Sequence, residues 1–413
     1  MASPSKKRGQ TATRATSDAA KLARVKEQLP CLAHYLPLNV GTSGPLPKVA
    51  LKALQATARE EVYDGRHRPV GWLALRERKE LLRQACGRVI GAPPGSIALT
   101  HHTTDGMNIG TAAFQWRPGD EAITTTIEHM GGLMPLATVR ERYGVTIKFA
   151  EVGLGGGDVV EKLAALVTPR TRLISLSHVS YSTGALLPLK EIVAMAHRQG
   201  VPVLVDGAQS AGAIPVDVQD TGVDLYALPG QKWLCGPEGT GALYVRPEIL
   251  PELRLTFAGY ASIQGHDQTG SYLPQHGAQR FEVGGMNWAL LAALEASLVW
   301  LERDVGYAWA WSRIARLARQ ARRSLAAIPG VTVLTPENMA GLVCFRIQGV
   351  DPAAGVAWLW ERGYQVRTIP EQACLRVSTG FFVAEEELKG FCAAVADLAR
   401  EKPATAAAAA AAD

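Results

Sequence analysis

The residues best placed by type and spacing to do chemistry lie in VPVLVDGAQSAGAIPVDVQDTGVDLYALPGQKWLCGPEGTGALYVR, residues 201–246. An apolar strand ends in Asp206. A second, VDLYAL, leads into Gly230-Gln231-Lys232-Trp233 and a glycine-rich turn. A carboxylate at the carboxyl edge of a parallel sheet stands where such folds bind ligands. A lysine set between buried strands and glycines is partly desolvated, so its pKa falls and its neutral amine can attack a carbonyl. The plainer alternative is a lysine snorkelling to the surface beside a capping Asp, which would not need this framing.

Pyridoxal 5'-phosphate (PLP) requires such a lysine, together with a carboxylate that keeps its pyridine nitrogen protonated. The run DGAQSAG, followed by GQKW and GPEGTGALYV, resembles the class V aminotransferase superfamily. That group includes cysteine desulfurases, isopenicillin N epimerase-like proteins, kynureninase and the C–S lyase of the ergothioneine pathway. The resemblance extends over roughly residues 33–400. It implies a fold-type I PLP-dependent transferase that works as a homodimer, with active sites at the subunit interface and an α-amino acid as substrate.

The resemblance also implies roles for individual residues. Lys232 is the expected Schiff-base lysine, Asp206 the partner of the pyridinium nitrogen, and Gln209 a hydrogen-bond partner of the cofactor's phenolic oxygen. In SIALTHHTTDGMNIG a strand runs into a helix start, which offers free N–H groups and a dipole to an anion. Thr103 and Thr104 there match the family's phosphate-binding turn. His129 in TTTIEHMG is expected to stack on the PLP ring, against the alternative of a structural histidine. Tyr181 stands where several relatives have Asn, within reach of the cofactor's oxygen. Arg376 in CLRVSTGFF matches the arginine that grips the substrate carboxylate, a bidentate task that Lys cannot reproduce. Asn39, in YLPLNVGTSGPLP, is expected to reach the same pocket. His178 reads as a satisfied core histidine.

Two positions depart from the family's phosphate-binding pattern. Pro229 stands where relatives commonly carry a Ser or Thr that donates to the phosphate, and proline has no donor. Gly285 stands where many relatives have a Thr reaching the partner subunit's phosphate, so only its backbone N–H remains. Both changes predict weaker cofactor retention. Desulfurases need a mobile thiolate upstream of the carboxylate-binding arginine. Between Tyr364 and Arg376 only Cys374 is available, in an apparent strand, where it reads as a small buried hydrophobe. Lys232 is expected to act as general base at Cα, giving a carbanion whose fate sets the reaction. C–S lysis ranks first, then epimerisation and transamination. A degenerate homologue acting as a binding protein is the alternative from another class.

Short apolar runs must position these residues. They are SIALT (96–100), EAITTT (121–126), VTIKFAEV (145–152), TRLISLSHV (171–179), VPVLVDGA (201–208), VDLYAL (223–228) and GALYVR (241–246). Amphipathic stretches such as 134–144 and 189–200 separate most of them and end in Gly, so βαβ crossovers are expected. The fold class is α/β, with a mainly parallel seven-stranded sheet covered by helices on both faces. The large domain is expected over 46–285, with 25–45 as an N-terminal segment packing on a smaller α+β domain at 286–402. In that smaller domain a long helical region, roughly 287–328, precedes the strands GLVCFRI, YQVRTI and CLRVSTG and a last helix.

The bulk numbers limit other functions. Residues 1–24 carry six Lys or Arg against Asp18, which accounts for the whole net charge of +5. The neutral remainder argues against a nucleic-acid surface, and 1–24 reads as an unstructured basic leader. Residues 403–413 read as an Ala-rich tail. Six scattered cysteines without C-x-x-C spacing fit a reduced cytoplasmic protein. No secretory or membrane-spanning segment is expected. His101-His102 lack metal-ligand company, so no metal is expected, and GLGGGD (153–158) reads as a flexible turn rather than a nucleotide loop.

Overall fold

A computed structural model describes residues 18–66 and 69–402 of the chain. All seven expected strands form one sheet: β1 Ile97–Thr100, β2 Glu121–Thr125, β3 Thr146–Ala150, β4 Thr171–Ser177, β5 Val203–Asp206, β6 Leu225–Pro229 and β7 Gly241–Val245. Their order is β1-β7-β6-β5-β4-β2-β3. Every neighbouring pair is parallel except those of β7, which runs antiparallel to both β1 and β6.

The continuous apolar runs reflect burial on both faces of this sheet. Val203 and Val205 enter one core and Leu204 the other, while Tyr226 and Leu228 oppose Leu225 and Ala227 in the same way. Side chains alternate across a strand, so one run of apolar residues feeds two helix layers. The crossovers place the carboxyl ends of β1, β2, β4, β5 and β6 along a single edge. The chain therefore delivers five loops to one place.

A second sheet contains β8 Val331–Val333, β9 Leu342–Ile347, β10 Arg367–Ile369 and β11 Cys374–Ser378, antiparallel throughout in the order β8-β9-β11-β10. Helices Tyr307–Ala326 and Glu385–Glu401 pack against each other beside it. The long helical region expected near 287–328 consists of Trp288–Trp300, a π-helical stretch Leu301–Val305 and Tyr307–Ala326. Gly306, at φ 75°, sets the break, because that left-handed backbone is cheap only for glycine.

The basic leader expected over 1–24 is shorter than its composition suggests. Residues 18–27 are helical. Asp18 accepts a hydrogen bond from Trp309 Nε1 at 3.1 Å, Lys21 lies over the Trp309 ring, and Val25 and Leu29 are buried. Apolar anchoring on the helix that holds Trp309 overrides the charge pattern. Residues 1–17 and the Ala-rich 403–413 lie outside the described residues. In the 153–158 turn, Gly153, Gly155 and Gly157 all have positive φ, and Asp158 ion-pairs with Lys162. Among the described residues, no helix is long and apolar enough to cross a membrane.

Candidate active site

A cavity of about 560 Å³ opens where the strand ends meet the second sheet. Its walls include Thr103 and Thr104 after β1, His129 after β2, Tyr181 after β4, Asp206 and Gln209 at and after β5, Lys232 after β6, and Arg376 on β11. Eight residues singled out in the sequence thus converge, although their positions span more than 270 residues of chain.

Lys232 reaches the cavity from the turn after β6. Gly230 N–H donates to Thr240 O, Gly236 N–H to Gly230 O, and Cys235, at φ 54°, closes the loop onto Lys232 O. Lys232 keeps some exposure through the cavity and is otherwise ringed by protein. Desolvation pulls its amine from 10.5 down to about 8, against the opposing pull of Asp206. Asp206 is buried, with Oδ1 accepting from Ala208 N–H at 2.8 Å. Gln209 donates from Nε2 to Gly41 O at 2.7 Å and accepts from Trp233 Nε1 at 3.1 Å. One of its N–H bonds is therefore already spent on the N-terminal segment.

Two helix starts, Thr103 and Met130, converge on the cavity. His129 caps the second by accepting Gly131 N–H at Nδ1, 3.0 Å away. Burial lowers its pKa, and the charge on Lys232 lowers it further, so the ring is neutral with its hydrogen on Nε2. Tyr181 meets this ring edge-on, with centroids 4.7 Å apart and planes at 89°. Glu128, which the sequence reading passed over, accepts from Thr125 Oγ1, Ser177 N and Ser177 Oγ, tying the ends of β2 and β4 together. Burial pushes it up to about 7.

Arg376 is 0% exposed. Its Nη1 donates to Tyr181 O at 3.0 Å, and its Nη2 to Asn39 Oδ1 at 3.2 Å and Thr42 Oγ1 at 3.4 Å. Its Nε has no partner among the described residues. Desolvation pulls its pKa down to about 10. These partners are all neutral, so a buried cation is left facing the cavity with unspent donor capacity, which is the chemistry of a carboxylate site. Asn39 itself stops at Arg376, and it is Thr42 that lines the wall.

Arg367 also lines the cavity, and the sequence reading missed it. It is the register partner of Arg376 across β10 and β11, so the two guanidinium groups leave the same face of the sheet. The strand-like YQVRTI, just ahead of CLRVS, carried that signal. His178 lies off the cavity, against Tyr226 Oη at 3.2 Å, and burial pulls its pKa down to about 4. Pro229 is buried at the end of β6, opposite Gly241. Gly285 does not line its own chain's cavity and sits beside Tyr260.

The residues fit PLP. They supply a neutralisable lysine, a buried carboxylate and an aromatic wall. Thr103 adds a buried hydroxyl without a hydrogen-bond partner among the described residues, at a helix start. The family model for class V aminotransferases matches residues 41–391. The chain belongs to this family. Its members depend on PLP, and this chain is a PLP-dependent lyase or transferase of fold-type I. The isopenicillin N epimerase of Streptomyces clavuligerus is 30% identical over 372 residues, covering 85% of this chain and 92% of that one. Cysteine desulfurase CsdA of Escherichia coli is 32% identical over 298 residues, 71% of this chain and 73% of that one. The cystine C–S lyase C-DES, solved with its product cysteine persulfide, superposes with a TM-score of 0.85 at 34% identity, covering 90% of this chain and 99% of that one. A C-DES mutant with Gly covalently linked to the PLP cofactor superposes equally well.

Proposed function

We propose that the protein is a PLP-dependent C–S lyase acting on an α-amino acid with a sulfur substituent at Cβ. The observation that carries this reading is a cavity holding the Lys232–Asp206 pair and the Arg376 cation but, among the described residues, no cysteine. Lys232 would hold PLP through Nζ, Asp206 would face the pyridine nitrogen, His129 would lie against the ring, and Thr103 and Thr104 would face the phosphate. The cofactor, when bound, supplies an electron sink for the bonds at Cα.

The chain's own groups do the rest. Arg376, positioned by Asn39, grips the substrate carboxylate. Lys232 Nζ takes the Cα proton, a task for which a pKa of about 8 suits it near neutral pH. Arg367 provides a second guanidinium that suits an anionic group at the far end of the substrate, as in a disulfide-linked amino acid. The net reaction consumes water and gives a thiol or persulfide, pyruvate and ammonia.

Desulfuration through a cysteine persulfide is disfavoured by Cys374. It is 0% exposed, lies in β11 and does not line the cavity. Its thiol pKa is lowered by a hydrogen bond from buried Cys344, so its polar partner is a second core sulfur. The chain between Gln365 and Cys374 is a short strand and one 3-10 turn rather than a long loop.

A homodimer is part of the same proposal. Phe257, Tyr260 and Leu273 are 62%, 71% and 56% exposed, in the segment that leads to Gly285. Large apolar side chains this exposed suit burial against a partner, and a second copy would bring Gly285 toward the partner's phosphate. Six unpaired cysteines fit a reducing, cytoplasmic setting.

Incubation with L-cystine, L-cysteine and plain amino acids tests the reading. Pyruvate with matching ammonia is expected from the sulfur substrates, with a persulfide from L-cystine and sulfide from L-cysteine. Alanine in place of pyruvate would favour desulfuration, the D-enantiomer alone would favour epimerisation, and a keto acid without ammonia would favour transamination. Any of these in place of pyruvate overturns the lyase assignment.

A further inference from the structure

The helix Thr103–Ala112 opens onto the cavity with His102 as its N-cap. Asp105 N–H donates to His102 Nδ1 at 2.9 Å. Asp105 Oδ2 in turn accepts from His101 N–H and lies 3.0 Å from His101 Nδ1. The two histidines therefore divide the work. His101 occupies the carboxylate of the first turn, and His102 takes the Asp105 amide on both its ring Nδ1 and its own carbonyl.

An acceptor role at Nδ1 fixes the His102 tautomer. In the neutral ring the hydrogen must sit on Nε2, which becomes a donor on a residue that lines the cavity. Beside it, Thr103 is 7% exposed and lines the same wall, and its Oγ1 has no hydrogen-bond partner among the described residues. The N–H groups of Thr103 and Thr104 are the first two of the helix and have no acceptor within it. A buried unpartnered hydroxyl beside free amides at the positive end of a helix is a site for an anion.

We propose that His102 is a phosphate ligand of the cofactor, donating from Nε2 beside Thr103 and Thr104. The proposal rests on the reading of this end of the cavity as the phosphate end. It also gives the chain a donor that offsets those missing at Pro229 and Gly285. No hydroxyl is available at either position, whereas an imidazole stands at the mouth of the helix.

Two variants separate this role from a structural one. Asn is a good N-cap, so His102→Asn keeps an acceptor for Asp105 N–H while removing the ring donor. His102→Ala removes both. The full chain, stripped of cofactor, is titrated with PLP and separately with pyridoxal, which lacks the phosphate, and binding is followed by visible absorbance. His102→Asn is expected to weaken PLP binding about five- to tenfold and to leave pyridoxal within about twofold, the scale of one partly solvated charge-assisted hydrogen bond. Unchanged PLP affinity overturns the proposal, and so does an equal loss for PLP and pyridoxal. His102→Asn carries the test if His102→Ala fails to fold. A wild-type chain that binds neither compound overturns the cofactor site itself, and this proposal with it.

Discussion

Replacing Arg376 with Met separates a binding role from a structural one. The side chain is 0% exposed, and its partners are the Tyr181 carbonyl, the Asn39 amide oxygen and the Thr42 hydroxyl, all uncharged. Burying a cation without an acid costs several kcal/mol, and three hydrogen bonds to a charged group return about 1.5–3 kcal/mol each. The two contributions nearly cancel, so Arg376→Met should change stability by less than about 2 kcal/mol. Substrate binding should respond very differently. A carboxylate held by two charge-assisted hydrogen bonds loses about 3–6 kcal/mol, which lowers kcat/KM by roughly 10²- to 10⁴-fold. Steady-state pyruvate release and urea denaturation on the same preparation measure both quantities. A fall in kcat/KM of less than about tenfold would refute the binding role, and so would a stability loss above about 3 kcal/mol, the signature of a structural arginine.

Four further outcomes follow from the structure. Desolvation lowers Lys232 from 10.5 to about 8, so in the cofactor-free chain its reaction with an aldehyde should rise with pH through about 8 and then level off. The unfolded chain binds more protons at this site between about 8 and 10.5, so stability relative to Lys232→Met should increase with pH across that window, as urea titrations at several pH values would show. Glu282 is buried against Arg83 and Lys79 and accepts Leu99 N–H, which clamps the helix Pro69–Ile90 to β1. Glu282→Gln should cost about 1–3 kcal/mol in urea unfolding, because the buried Arg83 guanidinium keeps Glu80 as its remaining carboxylate partner while Glu282's own charge-assisted bonds are weakened. Cys374→Ser should leave pyruvate release within about threefold of wild type, as a change remote from the cavity wall; loss of turnover with intact PLP absorbance would restore the thiol to the mechanism.

The sequence spoke clearly where one residue type had to satisfy two constraints. All seven strands of the large sheet were legible, because residues such as Val203, Leu204 and Val205 must be apolar on both faces. Lys232 and Asp206 were legible because a charge framed by such strands has few uses. The helix at 18–27 was not, since its anchorage to Trp309 depends on chain nearly three hundred residues away. Arg367 was hidden for a related reason. A lone arginine in a short strand has no meaning until the register sets it opposite Arg376. The partners of His101 and His102 are local, within four residues, yet only the side-chain positions at the helix start reveal which ring nitrogen is taken.

The passage from Leu38 to Gly44 links two parts of the machinery. Leu38 O accepts Ser378 N–H and Gly41 N–H donates to Ser378 Oγ on one side, while Gly44 N–H donates to Gln231 O on the other. A methyl group at Gly44 would come within 2.2 Å of Lys232 O, so this passage lies directly on the lysine turn. The strand that carries Arg376, proposed to grip the carboxylate, and the turn that carries Lys232, proposed as the base at Cα, are thus yoked by a few residues of chain. A shift of the antiparallel sheet on engaging a substrate would be felt at the reactive amine without any signal having to cross the core.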